Sequence, residues 1–182
     1  MKNKARDINT YQFSDSEPLL LDTNIWIYLF PPPVNPQPKA IVRNYSNALK
    51  SMLRAKTRIL MDVLVLSEYL NKYCRCMWSA SNTSQTYKDF RKTANYPPIG
   101  QQASSEARQI LNLCARENHP FEGVNINQVL ADFEVGKRDF NDGLLIETCR
   151  LNGWKFVTHD GDCSEGGIEI LTSNCGLLRN CP

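Results

Sequence analysis

The sequence has few of the residues on which common enzyme chemistries depend. It contains two histidines, His119 and His159, and neither lies near a Gly-x-Ser-x-Gly motif, so a serine or cysteine hydrolase is not indicated. A Walker A loop and a Gly-x-Gly-x-x-Gly turn are also absent, which excludes the usual nucleotide cradles. The seven cysteines share no repeated spacing, and one residue separates Cys74 from Cys76, whereas zinc ligands are commonly about two to four residues apart. We therefore expect reduced thiols, without disulfides or zinc.

Long hydrophobic runs are missing as well. The longest apolar stretches, residues 19–21, 25–30 and 63–66, are far shorter than the roughly 20 residues that cross a bilayer. The first apolar run is interrupted by Asp22, so it does not resemble the core of an export signal. We expect no membrane association and a cytoplasmic location.

Charge is nearly balanced over the 182 residues, with a formal net charge of +2. This length fits one domain over residues 1–182, with a core at about 19–171, a short polar N-terminal extension over 1–17 and a C-terminal tail over 172–182. Lys and Arg predominate before Ser105 and Asp and Glu after it, an asymmetry that suggests an anionic partner.

Two basic segments are the candidate contacts for such a partner. One lies on a predicted helix, and the other lies beside aromatic residues. The candidates are Arg43, Lys50 and Arg54 in the first segment, and Lys88, Arg91 and Lys92 in the second. A solvated helix face is the alternative interpretation of these charges.

Hydrophobic periodicity predicts strands that alternate with helices. Short apolar runs predict strands over residues 18–21, 58–62, 155–158 and 168–171. Three- and four-residue steps predict helices over 39–57, 63–78, 103–114, 126–133 and 139–152. Residues 79–100 are predicted to form a long loop or a helical insertion, and 119–124 a turn and a short strand. This alternation is typical of an α/β fold with a parallel sheet covered on both faces.

Acidic residues fall at points that such a fold brings together. Asp22 and Asp160 follow predicted strands, Glu68 lies in the early turns of a helix, and Asp142 lies in the first turn of another. The carboxyl ends of parallel strands share one edge of the sheet, so we expect the four carboxylates to meet there. Like charges raise one another's pKa, so such a cluster implies bound cations or a shared proton. Mg²⁺ or Mn²⁺ suits these oxygen ligands.

Each acid also has a structural interpretation. Asp22 and Asp139 are suited to cap helices, and Asp162 is suited to a turn beside Gly161. Glu68 is alternatively an ordinary exposed residue of a helix, and Asn24 is alternatively a helix cap.

Four segments, in this order, resemble the PIN-domain family of metal-dependent nucleases. They are Leu19-Leu-Leu-Asp22-Thr-Asn24, Val65-Leu-Ser-Glu68-Tyr-Leu70, Asn141-Asp-Gly-Leu-Leu-Ile146 and Phe156-Val-Thr-His-Asp-Gly-Asp162. The resemblance implies a three-layer α/β/α sandwich and a Mg²⁺- or Mn²⁺-dependent ribonuclease. It implies Asp22, Glu68, Asp142 and Asp160 as catalytic and metal-binding acids, Asp139 and Asp162 as auxiliary ligands, and Asn24 and Thr158 as supporting donors.

The resemblance also implies an RNA substrate, with an antitoxin protein and a second copy of the chain as candidate partners, because many members are toxins that dimerise. The loop over 31–38 and the segment over 79–100 depart from the compact toxin form. A non-catalytic nucleic-acid or protein binding module is an alternative. An aspartyl-phosphate phosphatase is another, but it would need an acid two positions after Asp22, where the chain has Asn24.

Overall fold

Short strands alternate with helices along the chain, and the computed structural model describes residues 1–181. The strands are β1 (Lys4–Asp7), β2 (Pro18–Leu21), β3 (Arg58–Met61), β4 (Ala115–Arg116), β5 (Lys155–Val157) and β6 (Glu169–Thr172). The helices are α1 (Thr23–Leu29), α2 (Lys39–Arg54), α3 (Val63–Ala80), α4 (Tyr87–Phe90), α5 (Tyr96–Asn112), α6 (Ile126–Glu134), α7 (Phe140–Asn152) and α8 (Cys175–Asn180). A 3₁₀ turn over Phe121–Gly123 precedes α6.

The strands form one parallel sheet in the order β1-β6-β5-β2-β3-β4. Strand β2 is central, and its residues Leu19, Leu20 and Leu21 are almost completely buried because helices cover both faces of the sheet. The result is the three-layer α/β/α sandwich that the sequence predicts. Since β2 lies between β5 and β3, the residues after these three strands are neighbours at one edge.

Side chains at the strand ends and helix ends fix where the helices begin and stop. Asp62 follows β3, accepts a hydrogen bond from the amide of Leu64 at 2.8 Å and so caps α3. The same carboxylate contacts His119 Nδ1 at 2.8 Å. Helix α7 ends at Gly153, whose φ of 66° suits a residue without a Cβ.

Both chain ends contribute to the fold more than the sequence predicts. Residues 1–17 were expected to form a polar extension, but β1 pairs with β6 along its full length. The Asn3 side chain is buried, donates to the carbonyls of Cys163 and Glu165, and accepts from the amide of Ile168. The expected tail contains α8, which packs against β1. The sandwich therefore begins before the predicted core.

Two local predictions need correction. The short strand expected within residues 119–124 is instead β4, four residues earlier, and 119–124 form a turn. The end of the segment predicted as a long loop or a helical insertion over 79–100 belongs to α5, and Pro97 and Pro98 lie in the first turn of that helix, where a missing amide proton is tolerated. A helical insertion within this segment is present as α4.

No helix within residues 1–181 has the length and apolar character needed to span a bilayer. All seven cysteines are free thiols.

Candidate functional site

Asp22 lies at the carboxyl end of the central strand and is buried, with 5% of its surface exposed. It occupies the N-cap position of α1, yet its side chain makes no capping hydrogen bond. Instead, Oδ2 accepts hydrogen bonds from Thr158 Oγ1 at 2.7 Å and from Asn24 Nδ2 at 2.6 Å. The carboxylate thus contacts side chains at the end of β5 and on α1, and it does not bind the backbone amides of α1 as a helix cap would.

Thr158 and Asn24 connect the ends of β2 and β5. Asn24 Nδ2 also lies 3.2 Å from Thr158 Oγ1, and Asn24 Oδ1 accepts from the amide of His159 at 3.3 Å. The amide of Asp160 donates to Thr158 Oγ1 at 3.1 Å. These contacts link the residues that carry Asp22 and Asp160.

Glu68 reaches the same edge from α3. Its Oε2 accepts a hydrogen bond from the buried Thr23 hydroxyl at 3.0 Å, and its Oε1 lies 2.6 Å from the ammonium of Lys72. Lys72 was not among the predicted site residues. The only sequence signal was the four-residue spacing from Glu68, a spacing that also occurs on many exposed helices.

The start of α7 supplies a further wall. Asp139 caps this helix by accepting from the amide of Asn141 at 2.9 Å, and Asp142 follows in the first turn. Asp139 therefore combines the capping role with a place beside the other acids. Asn141, the first residue of the third segment that resembles the family and not a predicted site residue, lines the same cavity.

One cavity of about 370 Å³ gathers these residues. Its walls are formed by Asp22, Asn24, Glu68, Lys72, Asp139, Asn141, Asp142 and Asp160. The four acids predicted to meet are thus brought together with Asp139. Asp162 is exposed and does not line the cavity; its amide donates to Asp160 Oδ1 at 2.9 Å, as in a turn.

Burial and mutual repulsion make the cavity unfavourable for so many negative charges. Burial, with the charges of Glu68 and Asp160, raises the pKa of Asp22 to about 6, although the Thr158 hydrogen bond and Lys72 oppose the shift. Burial and the neighbouring carboxylates, first among them Asp22, raise the pKa of Asp142 to about 7. A site with this pattern is suited to bind cations.

The carboxylate oxygens match the ligands of Mg²⁺ and Mn²⁺, and no histidine or cysteine lines the cavity. As the side chains stand, no group of three or more His, Cys, Asp or Glu residues within 1–181 is placed to hold a metal ion directly. Mg²⁺ keeps several of its waters when bound to proteins, and the cavity has room for them. The donor set therefore fits a hydrated ion.

His159 is directed away from the cavity. Its Nδ1 lies 2.9 Å from the Tyr45 hydroxyl, and its ring packs edge-on against Tyr28 and Tyr45. Burial lowers the pKa of His159. We interpret this residue as part of the packing between α2 and β5.

The predicted basic contacts lie at different distances from the site. Tyr45 touches the backbone after β5, so the first turns of α2 are near the acids. Arg54 lies nine residues further along α2, or about 13 Å at 1.5 Å per residue, toward the opposite edge. Lys50 lies between Tyr45 and Arg54 along α2, and Arg43, two residues before Tyr45, is closest to it in the chain. All three are exposed.

In the second segment, Lys88, Arg91 and Lys92 are exposed on or just after α4. Lys92 pairs with Asp89 at 3.3 Å. Arg91 lies over the Tyr96 ring, 5.7 Å from its centroid.

Comparison with known proteins identifies the family of the chain. The model of the PIN domain matches residues 19–167, a span that contains all four predicted catalytic acids. The chain belongs to the PIN-domain family. No curated protein matches the sequence.

Several solved structures align with the chain at low identity. VapBC2 from Rickettsia felis, bound to a DNA fragment from its promoter, aligns at 15% identity with a TM-score of 0.52, covering 85% of this PIN-domain chain and 98% of that chain. PAE2754 from Pyrobaculum aerophilum aligns at 18% identity with a TM-score of 0.46, covering 87% and 88%. FitAcB from Neisseria gonorrhoeae aligns at 15% identity with a TM-score of 0.41, covering 84% and 96%. The likeness to VapBC2 shows the fold alone.

Proposed function

We propose that this PIN-domain protein is a divalent-metal-dependent nuclease that hydrolyses phosphodiester bonds in single-stranded RNA. The observation that carries the proposal is the convergence of Asp22, Asp142 and Asp160 on one cavity, where burial and repulsion oppose the ionisation of Asp22 and Asp142. Such a site binds cations, and phosphodiester hydrolysis is the chemistry for which Mg²⁺ or Mn²⁺ held by carboxylates is well suited.

In this proposal, Asp22, Asp142 and Asp160 hold the ion, with Asp139 as an auxiliary ligand. A bound ion activates water and neutralises charge on the phosphate. Thr158 and Asn24 orient Asp22 through the two hydrogen bonds on its Oδ2. The exposed position of Asp162 supports a turn role more than ligation.

The cleavage experiment compares the parent protein with Asp22→Asn and Asp142→Asn on short single-stranded RNA in Mn²⁺. Loss of a residue behind a metal ligand typically costs about 10- to 100-fold, so loss of a ligand should lower the rate more than about 100-fold. Asp15→Asn, an exposed acid before β2, is the matched control and should cleave like the parent. Equal cleavage by all four proteins would contradict the assignment. Cleavage of a DNA oligonucleotide of the same sequence at the same rate would overturn the RNA preference.

A protein partner forms the second part of the proposal. We infer that an antitoxin binds this chain, as the VapBC2 complex would suggest for a protein of the same fold. The exposed apolar side chains Phe121, Leu130, Phe133 and Val135, at and around α6, support a protein contact. Co-expression with the protein encoded by the adjacent gene should give a complex that cleaves RNA more slowly. A neighbouring product that neither binds nor inhibits would contradict the toxin interpretation and leave the nuclease proposal standing.

A second copy of the chain is the other candidate for this apolar surface, and light scattering of the purified protein distinguishes a dimer from a monomer. The seven free cysteines support a reducing compartment, so we place the activity in the cytoplasm. A module that binds RNA without cutting it remains the competing function, and the cleavage experiment separates the two.

A further inference from the structure

A lysine ammonium shares the cavity with the acids. Lys72 Nζ lies 2.6 Å from Glu68 Oε1, and Lys72 lines the same cavity as Asp22, Asp142 and Asp160. The charge of Lys72 also interacts with acids other than Glu68. Burial lowers the pKa of Lys72, but the hydrogen bond and charge of Glu68, followed by the charges of Asp22 and Asp142, outweigh burial and raise it. The chain thus places a cation of its own among the carboxylates.

Both oxygens of Glu68 already have a partner in this arrangement. Oε1 is occupied by Lys72, and Oε2 accepts the Thr23 hydrogen bond at 3.0 Å. Thr23 is completely buried, so its hydroxyl is held in place by the packing of α1. The three aspartates Asp22, Asp142 and Asp160, in contrast, have no ion pair with a lysine or arginine among the residues that the structure describes.

We propose that Lys72 supplies the cation at the Glu68 side of the cavity, so that the site takes one divalent ion, on its aspartate side, instead of two. This inference rests on the proposed function, because it assumes that the aspartates bind Mg²⁺ or Mn²⁺. In it, Glu68 is a positioning residue that holds the ammonium. Lys72 then faces the phosphate of a bound RNA, where a point charge serves as a phosphate ligand.

The lysine stem is flexible and half of the side chain is exposed, so a second ion has a physical route to displace it. That competing outcome predicts two ions in the parent protein. The number of bound ions therefore shows whether the Lys72 ammonium stays in the cavity or is displaced by a second ion.

The test is a titration of the metal-free full chain with Mn²⁺. Binding is monitored by calorimetry and by the electron paramagnetic resonance signal of free Mn²⁺. Lys72→Met removes the charge and keeps an unbranched side chain, while Lys72→Arg keeps the charge. Lys39→Met changes an exposed lysine at the start of α2 and is the matched control. Thermal unfolding followed by circular dichroism establishes that each variant is folded.

We expect one Mn²⁺ per chain in the parent, Lys72→Arg and Lys39→Met, and two in Lys72→Met. Two ions in the parent, or one in Lys72→Met, would overturn the inference while leaving the nuclease proposal intact. Absence of Mn²⁺ binding to the parent would instead contradict the proposed function, and the inference with it. Since ion number is measured without RNA, a failure of cleavage does not bear on this result.

Discussion

Asp22 combines deep burial with a charge that function requires. Two donors satisfy its Oδ2, but they do not compensate for the cost of burying a carboxylate beside Glu68 and Asp160, since the pKa of Asp22 stays raised at about 6. Without a bound cation, the ionised residue therefore destabilises the folded chain. A metal ion bound to the native state alone offsets this cost.

Asp22→Asn is expected to stabilise the metal-free protein. The ordinary pKa of an aspartate is 3.8, and burial raises the pKa of Asp22 to about 6 in the folded chain, so both states are fully protonated only well below pH 3.8, where folding carries no penalty. The penalty develops as pH rises from about 4 through about 6 and is complete at pH 8. One pKa unit corresponds to about 1.4 kcal/mol. We therefore expect the free energy of unfolding of the variant to exceed that of the parent by about 1–3 kcal/mol at pH 8.

Urea denaturation in EDTA at pH 4 and pH 8 measures this difference, with Asp15→Asn as the control. The gain should be small at pH 4 and should disappear at pH 8 in saturating Mn²⁺. A variant no more stable than the parent at pH 8 would show that Asp22 is not under electrostatic strain.

At the scale of elements, α3 joins the acidic cavity to the inserted α4. Glu68 and Lys72 lie on one face of α3, and Arg75 follows three residues later, near the same face. The Arg75 guanidinium lies 4.8 Å from the centroid of the Tyr87 ring on α4. Arg91, just after α4, borders a cavity of about 210 Å³ that includes Asn71 of α3. A basic and aromatic surface thus begins beside the site.

We expect this surface to bind RNA more strongly than α2 does. Arg75→Ala combined with Arg91→Ala should weaken binding severalfold and reduce the slope of log affinity against log salt by up to about two, because each arginine that contacts a phosphate releases about one counterion. Fluorescence anisotropy in Ca²⁺ at several salt concentrations measures both quantities without relying on cleavage.

Arg108→Ala, at an exposed position late in α5, is the control for general charge loss. Neutralising Arg43, Lys50 and Arg54 together should weaken binding less than the double variant, since α2 runs away from the acids. The opposite order would place the RNA along α2.

The sequence predicts most elements because their signals are local. The apolar runs of β2 and β3 and the spacing along α2 are read directly from the chain. Strand β1 is different: residues 4–7 are mostly polar and lie at the sheet edge, and their partner β6 is more than 160 residues away. The position of Lys72 in one cavity with acids from other elements also depends on the tertiary fold, which no local pattern encodes.

At the scale of the whole molecule, the N-terminal segment around β1 stabilises one edge of the sheet. Asn3 is buried, and its amide makes three hydrogen bonds to the backbone of residues 163–168. Ile8, directly after β1, is also buried in the core. The segment that follows Asp160 is thus tied to the N-terminal end of the chain.

Asn3→Ala should lower the free energy of unfolding by about 2–4 kcal/mol. The change leaves a buried amide and two carbonyls without their partner, and each unsatisfied group costs about 1–3 kcal/mol before relaxation. Urea denaturation measures the loss, and Asn47→Ala, at an exposed position on α2, is the matched control. Equal stability of the two variants would show that the N-terminal segment is dispensable for the fold.

The proposed activity requires that acids from separate elements bind the same ion. Mn²⁺ affinity, measured by the resonance signal of the free ion, tests this most directly in the parent and in Asp22→Asn, Asp142→Asn and Asp160→Asn. We expect each single substitution to weaken binding of that ion by about 10-fold or more, since each removes one carboxylate from the shared site. Unchanged affinity in any two of the three variants would contradict a common metal site.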